Sequence, residues 1–294
     1  MLTFLTALSV ILTPGPDSLR SAIEARIKQN PMAEVGVAYI DLQSGDTLYI
    51  HADTVFHAAS TMKLPVMLEL YRRASAGGIS LGQGLLVVNQ FASIVDGSPY
   101  AQDPGQDSDS SLYKLVGSRV SVRALIRLMI TRSSNLATNT LIALAGPDQV
   151  NATLRSLGVN TMNVLRGVED LKAFDKGLNN TTTARDLATL LAAIETGRAA
   201  DAAATRAMKE ILLAQEFNNG IPAGLPPGTK VAHKTGDLTA HSHDAAIVYP
   251  GGRKPYVLVV LTRGIQKPTE SSQLIADISR LVYAHAMASV AAAK

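Results

Sequence analysis

The sequence predicts an α/β fold of the α+β kind, with a five-stranded antiparallel sheet flanked by helices and a mostly helical subdomain beside it. Three observations predict it. Two β-rich runs lie near the N-terminus, three more follow one another in the last third, and helical patterns fill the middle. Strands joined by short turns favour antiparallel pairing, because parallel pairs need long crossovers. The 294 residues are ample to bury a core.

An amphipathic helix and a hairpin are predicted at the start of the chain. Residues 18–30 carry Leu19, Ile23 and Ile27 at four-residue spacing, which places the three side chains on one helix face. The segment "EVGVAYIDLQSGDTLYIHAD" then contains two short β-rich runs around "QSGD", a pattern typical of a β-hairpin.

Helical patterns dominate the middle of the chain. A helix is predicted to begin close to Ser60, because Pro65 is well tolerated only in a first helical turn. The polar stretch "DGSPYAQDPGQDSDSS" that follows it is predicted to run over the surface as a solvated loop. Apolar periodicity and capping residues then predict helices over residues 122–131, 136–145, 147–157, 184–195 and 202–215.

Strand periodicity returns in the last third of the chain. The runs "GTKVAHKTG", "DAAIVYP" and "PYVLVVLTRG" predict three strands, and "ESSQLIADISRLVYAHAMA" predicts a closing helix. The chain is therefore predicted to divide into three parts. These are a candidate signal segment over 1–16, an α/β subdomain made of 17–61 together with 216–294, and a helical subdomain over 62–215.

Composition argues against several functional classes. The net charge is only +3, and the basic residues are scattered along the chain, so no nucleic-acid partner is expected. Without cysteine the chain has no disulfide, no thiol nucleophile and no cysteine-based zinc site. A hydrophobic content of 47% with 17% charged residues is typical of a folded protein.

The first dozen residues, "MLTFLTALSVIL", form an apolar run that is too short to span a bilayer, so no stable membrane insertion is expected. The run is typical of the apolar part of a secretory signal, although it lacks preceding basic residues and "TPGPDS" is not a clear cleavage site. The alternative is a buried N-terminal segment. On the first interpretation the protein is periplasmic or secreted.

The stretch "AASTMK" places Ser60 and Lys63 at the start of a predicted helix. The positive end of the helix dipole favours a serine alkoxide, and a residue three positions later lies on the same helix face. If Lys63 is buried enough to lose its proton, it can act as the base for Ser60. A serine before a helix is also a common cap, and an isolated S-x-x-K pattern is mostly chance.

Two further motifs place polar side chains where secondary structure changes. "TRSSN" puts Ser133 and Asn135 in a loop between two helices, where they either take part in catalysis or cap the second helix. "HKTG" puts Lys234, Thr235 and Gly236 at the end of a strand. A cation and a hydroxyl there suit a substrate carboxylate, and the glycine allows close backbone approach. Either motif alone is weak evidence.

The three motifs occur together and in a fixed order, and the trio is typical of penicillin-binding proteins and class A β-lactamases. After residue 17 the chain resembles this penicillin-recognising serine hydrolase family over nearly its whole length. It is most similar to class A β-lactamases, through "AASTMK", "SVRALIRLMITRSSNLATNTLI", "TTTARDLATLLAAIETG" and "AHKTG". The resemblance implies a β-lactamase/transpeptidase-like fold that needs no cofactor.

The resemblance also implies a role for each matching residue. Ser60 matches the acylated nucleophile, Lys63 its activating lysine, and Ser133 the hydroxyl that delivers a proton to the leaving nitrogen. The remaining matches bind substrate: Asn135 at the acylamide, Lys234 and Thr235 at the carboxylate with Gly236 beside them, and Asp237, whose backbone N–H completes an oxyanion hole with that of Ser60.

The chain departs from the family pattern in two places. Ser134 stands where the family usually has an aspartate that holds the loop together. In the Ω-loop, "LRGVEDLKAFDKGLNNTTT", Arg166 matches the family's arginine, but Glu169 comes one residue later than the family's deacylating glutamate, and Asp170 follows it. If the loop backbone absorbs the extra residue, Glu169 can hold a water against the acyl carbonyl. If it does not, the acyl-enzyme persists.

His243 falls near the position where the family often has an arginine beside the substrate carboxylate. It is either a weak substitute for that arginine or a residue at the edge of a strand. Together with His241 and Asp244 it forms "HSHD", but alternate strand residues point to opposite faces and no remote partner is evident, so no metal site is expected.

The predicted function is hydrolysis of the β-lactam amide by a serine β-lactamase, through an acyl-enzyme on Ser60 whose hydrolysis Glu169 assists. The expected partner is a small-molecule β-lactam or peptidoglycan-like substrate, and the protein is expected to be a monomer. Two alternatives use the same acylation residues. One is a D-alanyl-D-alanine peptidase or esterase of the penicillin-binding type, and the other is a β-lactam sensor that deacylates slowly.

Overall fold

The computed structural model describes residues 16–292, with side chains over 17–288. The candidate signal segment, apart from residue 16, lies outside the described residues. The helices are α1 (Pro16–Lys28), α2 (Lys63–Ser75), α3 (Val122–Thr131), α4 (Asn135–Ala145), α5 (Pro147–Ser156), α6 (Leu171–Asp175), α7 (Ala184–Glu195), α8 (Ala202–Leu213) and α9 (Pro268–Ala292). Short 3₁₀ helices cover Ala59–Met62, Ser111–Leu115 and Ile221–Gly224.

Five of the strands form one antiparallel sheet, as predicted. The strands of the chain are β1 (Glu34–Asp41), β2 (Thr47–Ile50), β3 (Phe56–His57), β4 (Gly84–Leu86), β5 (Phe91–Ala92), β6 (Pro99–Tyr100), β7 (Arg119–Ser121), β8 (Thr181–Thr182), β9 (Lys230–Leu238), β10 (His241–Tyr249) and β11 (Tyr256–Arg263). The order in the large sheet is β2-β1-β11-β10-β9, and every neighbouring pair is antiparallel. The hairpins β1–β2, β9–β10 and β10–β11 are the ones that the short turns predict.

The large sheet is buried on both faces. In β11, Val257, Val259 and Leu261 join the core formed with α2, α3, α4, α7 and α8, whereas Leu258 and Val260 join the core formed with α1 and α9. This alternation follows from the two-residue period of a strand. It also explains why "YVLVVL", residues 256–261, is apolar throughout, since each residue faces one of two cores. The division of the chain at 61/62 and 215/216 stays a prediction.

The helix boundaries agree with the capping residues. Ser121 accepts a hydrogen bond from Ala124 N at the start of α3, and Thr183 accepts one from Asp186 N at the start of α7, as expected of N-caps. No helix in residues 16–292 combines the length and the apolar character that crossing a membrane requires.

One prediction about the fold holds only in part. Most residues of the polar stretch after α2 are exposed, as expected of a solvated loop, but Gln102 is only 3% exposed and Asp109 only 5% exposed. The stretch also folds back onto the start of α4, where Asp107 accepts hydrogen bonds from the α4 backbone. This loop is therefore part of the wall of the site.

Candidate active site

Ser60 lies in the 3₁₀ turn that leads directly into α2. Neither this turn nor α2 has a side-chain capping hydrogen bond at its start. The interpretation of Ser60 as a helix cap is therefore wrong. The residue is partly exposed and lines a cleft of about 560 Å³, a space large enough for a small molecule.

Lys63 is the first residue of α2 and is fully buried. Its Nζ donates to Ser133 O at 2.6 Å, to Ser133 Oγ at 3.1 Å and to Asn135 Oδ1 at 2.9 Å. Burial, and then the charge of Lys234, lower the pKa of Lys63 well below its ordinary value, while Asp107 and Glu169 oppose that shift. A buried amine that loses its proton easily is suited to act as a base.

Ser133 lies between two lysines. It is 6% exposed and adopts a left-handed φ of 58° in the loop between α3 and α4. Its Oγ is 3.1 Å from Lys63 Nζ and 3.0 Å from Lys234 Nζ. Burial lowers the pKa of Lys234 to about 7, against the opposing charges of Asp237 and Asp244. When Lys234 carries a proton and Lys63 does not, the Ser133 hydroxyl can accept from the first and donate to the second.

Strand β9 runs directly against the turn that carries Ser60. A Cβ atom built on Gly236 would lie 3.0 Å from Ser60 N, 3.1 Å from Thr61 N and 3.2 Å from Ala59 Cβ. Only a residue without a side chain allows this approach comfortably. It brings the backbone of the next residue, Asp237, to the same cleft as Ser60.

The Asn135 side chain joins Lys63 to Glu169. Its Oδ1 accepts from Lys63 at 2.9 Å, and its Nδ2 donates to Glu169 Oε1 at 2.7 Å. Burial raises the pKa of Glu169; the hydrogen bond from Asn135 opposes this, and the charge of Asp107 adds to it. The cleft thus holds a serine, a buried amine and a carboxylate connected through one amide.

The chain matches the model of the β-lactamase enzyme family over residues 18–286, which include all the residues just described. The chain belongs to the β-lactamase enzyme family. The residues that the sequence motifs single out all lie within the matched range.

Individual proteins are also similar to this chain over most of its length. β-Lactamase AST-1 of Nocardia asteroides is 32% identical over 264 residues, which cover 88% of this chain and 81% of the relative. A mutant of the class A β-lactamase of the last common ancestor of Gram-negative bacteria is 27% identical with a TM-score of 0.78, covering 90% of this chain and 97% of that one. PBP-A is 28% identical with a TM-score of 0.78, covering 90% and 94%. The predicted β-lactamase/transpeptidase-like fold and the predicted enzyme class, a serine hydrolase of the β-lactamase kind, are confirmed.

Two anchors hold the Ω-loop on either side of Glu169. Asn139 of α4 holds the first anchor, because it accepts from Val168 N at 2.7 Å and donates to Val168 O at 2.9 Å. Glu169 then adopts a left-handed φ of 63°, a conformation that is uncommon outside glycine. Asp170 forms the second anchor. The turn between these anchors directs the Glu169 side chain into the cleft toward Asn135.

Asp170 is committed to the loop and does not compete with Glu169 for the cleft. Its carboxylate accepts from Ser93 Oγ at 2.9 Å, from Ile94 N at 2.9 Å and from Ala173 N at 3.1 Å. Although burial opposes it, these hydrogen bonds lower the pKa of Asp170. Of the two adjacent acids left open by the sequence, only Glu169 has an oxygen bonded to a predicted site residue.

Gly167 makes this loop path possible. A Cβ atom there would lie 2.5 Å from Asn139 Oδ1 and 3.3 Å from Tyr100 OH, and Asn139 cannot move away without releasing Val168. We expect Gly167→Ala to destabilise the protein by about 1–3 kcal/mol and to slow deacylation more than acylation. Gly177→Ala, in the same loop at a φ of 72° with nothing within 4 Å, is the matched control.

Urea unfolding and single-turnover kinetics measure the two effects of Gly167→Ala. In the control variant the added methyl group meets no neighbour, so only the backbone strain of a left-handed alanine is expected. Equal deacylation rates in the two variants would show that the contact between Gly167 and Asn139 does not control Glu169.

The prediction that His243 is a weak substitute for an arginine at the substrate carboxylate is corrected. It is 2% exposed, and its Nε2 lies 2.9 Å from His57 O while its Nδ1 lies 3.3 Å from Thr262 N. Burial lowers the pKa of His243 to about 4, so the ring is neutral near pH 7. A neutral, buried ring cannot replace an arginine at the substrate carboxylate. It lies near the start of β10, which is an inner strand of the sheet.

Two residues of the site were missed by the sequence motifs. Asn139 holds the Ω-loop, and Asp107 holds the start of α4. The signal for Asn139 is a buried amide one turn after Asn135 on the same helix face. No local signal was available for Asp107, because its partners lie 28 and 29 residues away.

Proposed function

We propose that the protein hydrolyses β-lactam amides through an acyl-enzyme on Ser60 and that Glu169 drives the hydrolysis of that intermediate. The observation that carries the proposal is the position of the Glu169 carboxylate. It accepts a hydrogen bond from Asn135 in the cleft that Ser60 lines, whereas the neighbouring Asp170 is bound to the loop. A carboxylate in the same cleft as the acylated serine supports hydrolysis of the acyl-enzyme rather than its accumulation.

Acylation begins with the Ser60 hydroxyl. Neutral Lys63 takes the hydroxyl proton while Ser60 Oγ bonds to the lactam carbonyl carbon, and the carbonyl electrons move to oxygen. The carbonyl then re-forms as the C–N bond breaks, and the nitrogen receives a proton from the Ser133 hydroxyl. Protonated Lys63 in turn gives its proton to Ser133. The contact of 3.1 Å between Lys63 Nζ and Ser133 Oγ supports this transfer.

The carbonyl oxygen is stabilised by backbone donors. The N–H groups of Ser60 and Asp237 are proposed as the oxyanion hole, which is supported by the close approach of Gly236 to Ser60 N. Lys234 and Thr235 are proposed to bind the substrate carboxylate, and Asn135 the acylamide. No other cation is proposed at the carboxylate, because His243 is neutral and buried.

Deacylation requires an ionised Glu169. The carboxylate accepts a proton from a water whose oxygen bonds to the acyl carbon, and the Ser60–acyl bond then breaks as the proton returns to Ser60. Because burial raises the pKa of Glu169, this step is lost as the pH falls through that raised pKa.

A penicillin-binding peptidase or a slowly deacylating sensor is the second candidate. PBP-A supports it, because a mutant of that protein has been solved as an acyl-enzyme complex with penicillin G and aligns with this chain at a TM-score of 0.78. Both candidates share the acylation chemistry. They differ only in the fate of the acyl group.

The remaining assignments are also proposals. A periplasmic or secreted location and a monomeric state fit a β-lactam-hydrolysing enzyme, and a peptidoglycan-like molecule is the alternative substrate. The proposed subdomains are 17–61 with 216–294 and 62–215, with the site at their junction.

The test is to mix the purified protein with a chromogenic cephalosporin and to follow both the product and the intact mass. Many turnovers per protein with little adduct support the β-lactamase, whereas a single burst with a lasting adduct supports the second candidate. Ser60→Ala is expected to form no adduct and to lose turnover. Hydrolysis by Ser60→Ala at the parent's rate would refute the acyl-enzyme on Ser60.

A further inference from the structure

The start of α4 carries the catalytic loop but lacks the aspartate that usually holds it. The first four backbone N–H groups of a helix have no partner within the helix, so other groups must accept from them. Two of the four are satisfied at Ser134: its own N–H donates to Leu128 O at 3.2 Å, and its Oγ accepts from Ala137 N at 3.3 Å. The single hydroxyl oxygen of Ser134 does not replace the two oxygens of a carboxylate, so the N–H groups of Asn135 and Leu136 need another acceptor.

A carboxylate from a different loop serves the other two. Asp107 Oδ1 lies 2.9 Å from Asn135 N, and Asp107 Oδ2 lies 3.0 Å from both Asn135 N and Leu136 N. The carboxylate is itself held in place, because Tyr113 OH donates to Oδ2 at 3.0 Å and Asp109 N donates to Oδ1 at 3.1 Å. A negative charge here is also stabilised by the positive end of the α4 dipole.

We propose that Asp107 is a positioning residue that replaces, from the loop before α3, the carboxylate missing from the Ser133-Ser134-Asn135 motif. The inference deepens the proposed function and rests on it, since it concerns the same reaction. Asp107 touches no reacting atom. It acts through Asn135, whose backbone it binds and whose side chain contacts both Lys63 and Glu169.

The geometry explains why this position matters. The Asn135 amide is 2.9 Å from Lys63 Nζ and 2.7 Å from Glu169 Oε1, so a shift at its backbone changes both distances. Lys63 also binds the Ser133 carbonyl at 2.6 Å in the same loop. A hydrogen bond to a charged acceptor contributes more than a neutral one, and loss of the Asp107 carboxylate releases three such contacts.

The charge of Asp107 gives the proposal a second readout. The charges of Lys63 and Asp103 also affect the pKa of Glu169, and the charges of Lys234 and Glu169 also affect the pKa of Lys63. Asp107 favours the protonated form of both Glu169 and Lys63. Its removal therefore lowers the pKa of each, and both acidic limbs of the pH profiles move to lower pH.

Asp107→Asn and Asp103→Asn, each in the full chain, test the inference. Both variants remove one negative charge near Glu169, but the Asp103 carboxylate binds Gly105 N in its own turn and not α4. Amide hydrogen exchange of Asn135 and Leu136, acylation of Ser60 by intact mass, and the pH profile of deacylation are measured for each.

Asp107→Asn is expected to exchange the two amides about tenfold to hundredfold faster, to acylate about tenfold to hundredfold more slowly, and to shift its acidic limbs to lower pH. Asp103→Asn is expected to shift the deacylation limb in the same direction with parent-like exchange at α4. Faster exchange with parent-like acylation and pH profiles would reduce Asp107 to a helix cap and overturn the inference.

Failure of the proposed function would be visible separately. In that case the parent itself would form no adduct at Ser60, whereas failure of this inference would leave Asp107→Asn equal to the parent. The exchange measurement needs no substrate. Parent-like exchange in Asp107→Asn overturns the inference whatever the activity of the parent.

Discussion

Glu169→Gln is expected to slow deacylation by about 10²- to 10⁴-fold and to leave acylation of Ser60 close to the parent rate. The amide keeps the size of the side chain and can still contact Asn135, but it cannot accept a proton from water. The acyl-enzyme should therefore accumulate as a stable mass adduct. Single-turnover kinetics with a chromogenic cephalosporin, followed by intact mass, separates the two steps.

The pH dependence adds a second expectation for the same residue. Since burial raises the pKa of Glu169, the parent should lose deacylation, and accumulate adduct, as the pH falls through that pKa. Glu169→Gln should lack this limb. Asp170→Asn, which changes the adjacent acid, is expected to loosen the anchor at Ser93 and Ile94 without trapping the acyl-enzyme as strongly. A larger deacylation defect in Asp170→Asn than in Glu169→Gln would show that Asp170, not Glu169, is the base for deacylation.

Lys63→Met is expected to slow acylation by about 10²- to 10⁴-fold. Methionine fills a similar buried volume but has no base for the Ser60 proton, and it leaves Ser133 O and Asn135 Oδ1 without their donor. Stopped-flow acylation with mass detection gives the rate, and thermal unfolding checks that the variant is folded. A folded Lys63→Met that acylates at the parent rate would remove Lys63 from the mechanism.

Lys234→Met is the informative comparison for Lys63. The charge of Lys234 helps to lower the pKa of Lys63, so its removal should raise that pKa. Lys63 acts as a base only when neutral, and acylation declines as the pH falls below its pKa. The acidic limb of acylation in Lys234→Met should therefore move to higher pH, whereas Lys63→Met should have no such limb.

Much of the fold and the central motifs could be predicted from local sequence. The capping serine and threonine at residues 121 and 183, the strand periods of β9 to β11 and the helix start near Ser60 depend on neighbours within a few positions. These interactions are set by the 3.6-residue and two-residue periods of the backbone. The pattern of residues is therefore enough to place them.

Other features depended on contacts between distant segments. His243 matched an arginine position by count, yet its burial against Phe56, His57 and Thr262 makes it neutral. The acidic stretch looked like a solvated loop, yet Asp107 binds α4. Burial and hydrogen bonding of this kind depend on how distant segments pack. The sequence of a polar residue is the same whether its side chain is hydrogen-bonded to water or to the start of a helix.

For this protein the sequence alone determined the family, the antiparallel hairpins of the large sheet and the candidate residues Ser60 and Lys63, because these follow from short-range patterns. Only the tertiary structure showed which of the adjacent acids, Glu169 or Asp170, points into the cleft. That choice depends on Asn139 and Gly167, which set the path of the Ω-loop, and on the left-handed backbone at Glu169. The direction of a side chain in a loop is set by the groups that anchor the backbone on either side, and these come from elsewhere in the chain.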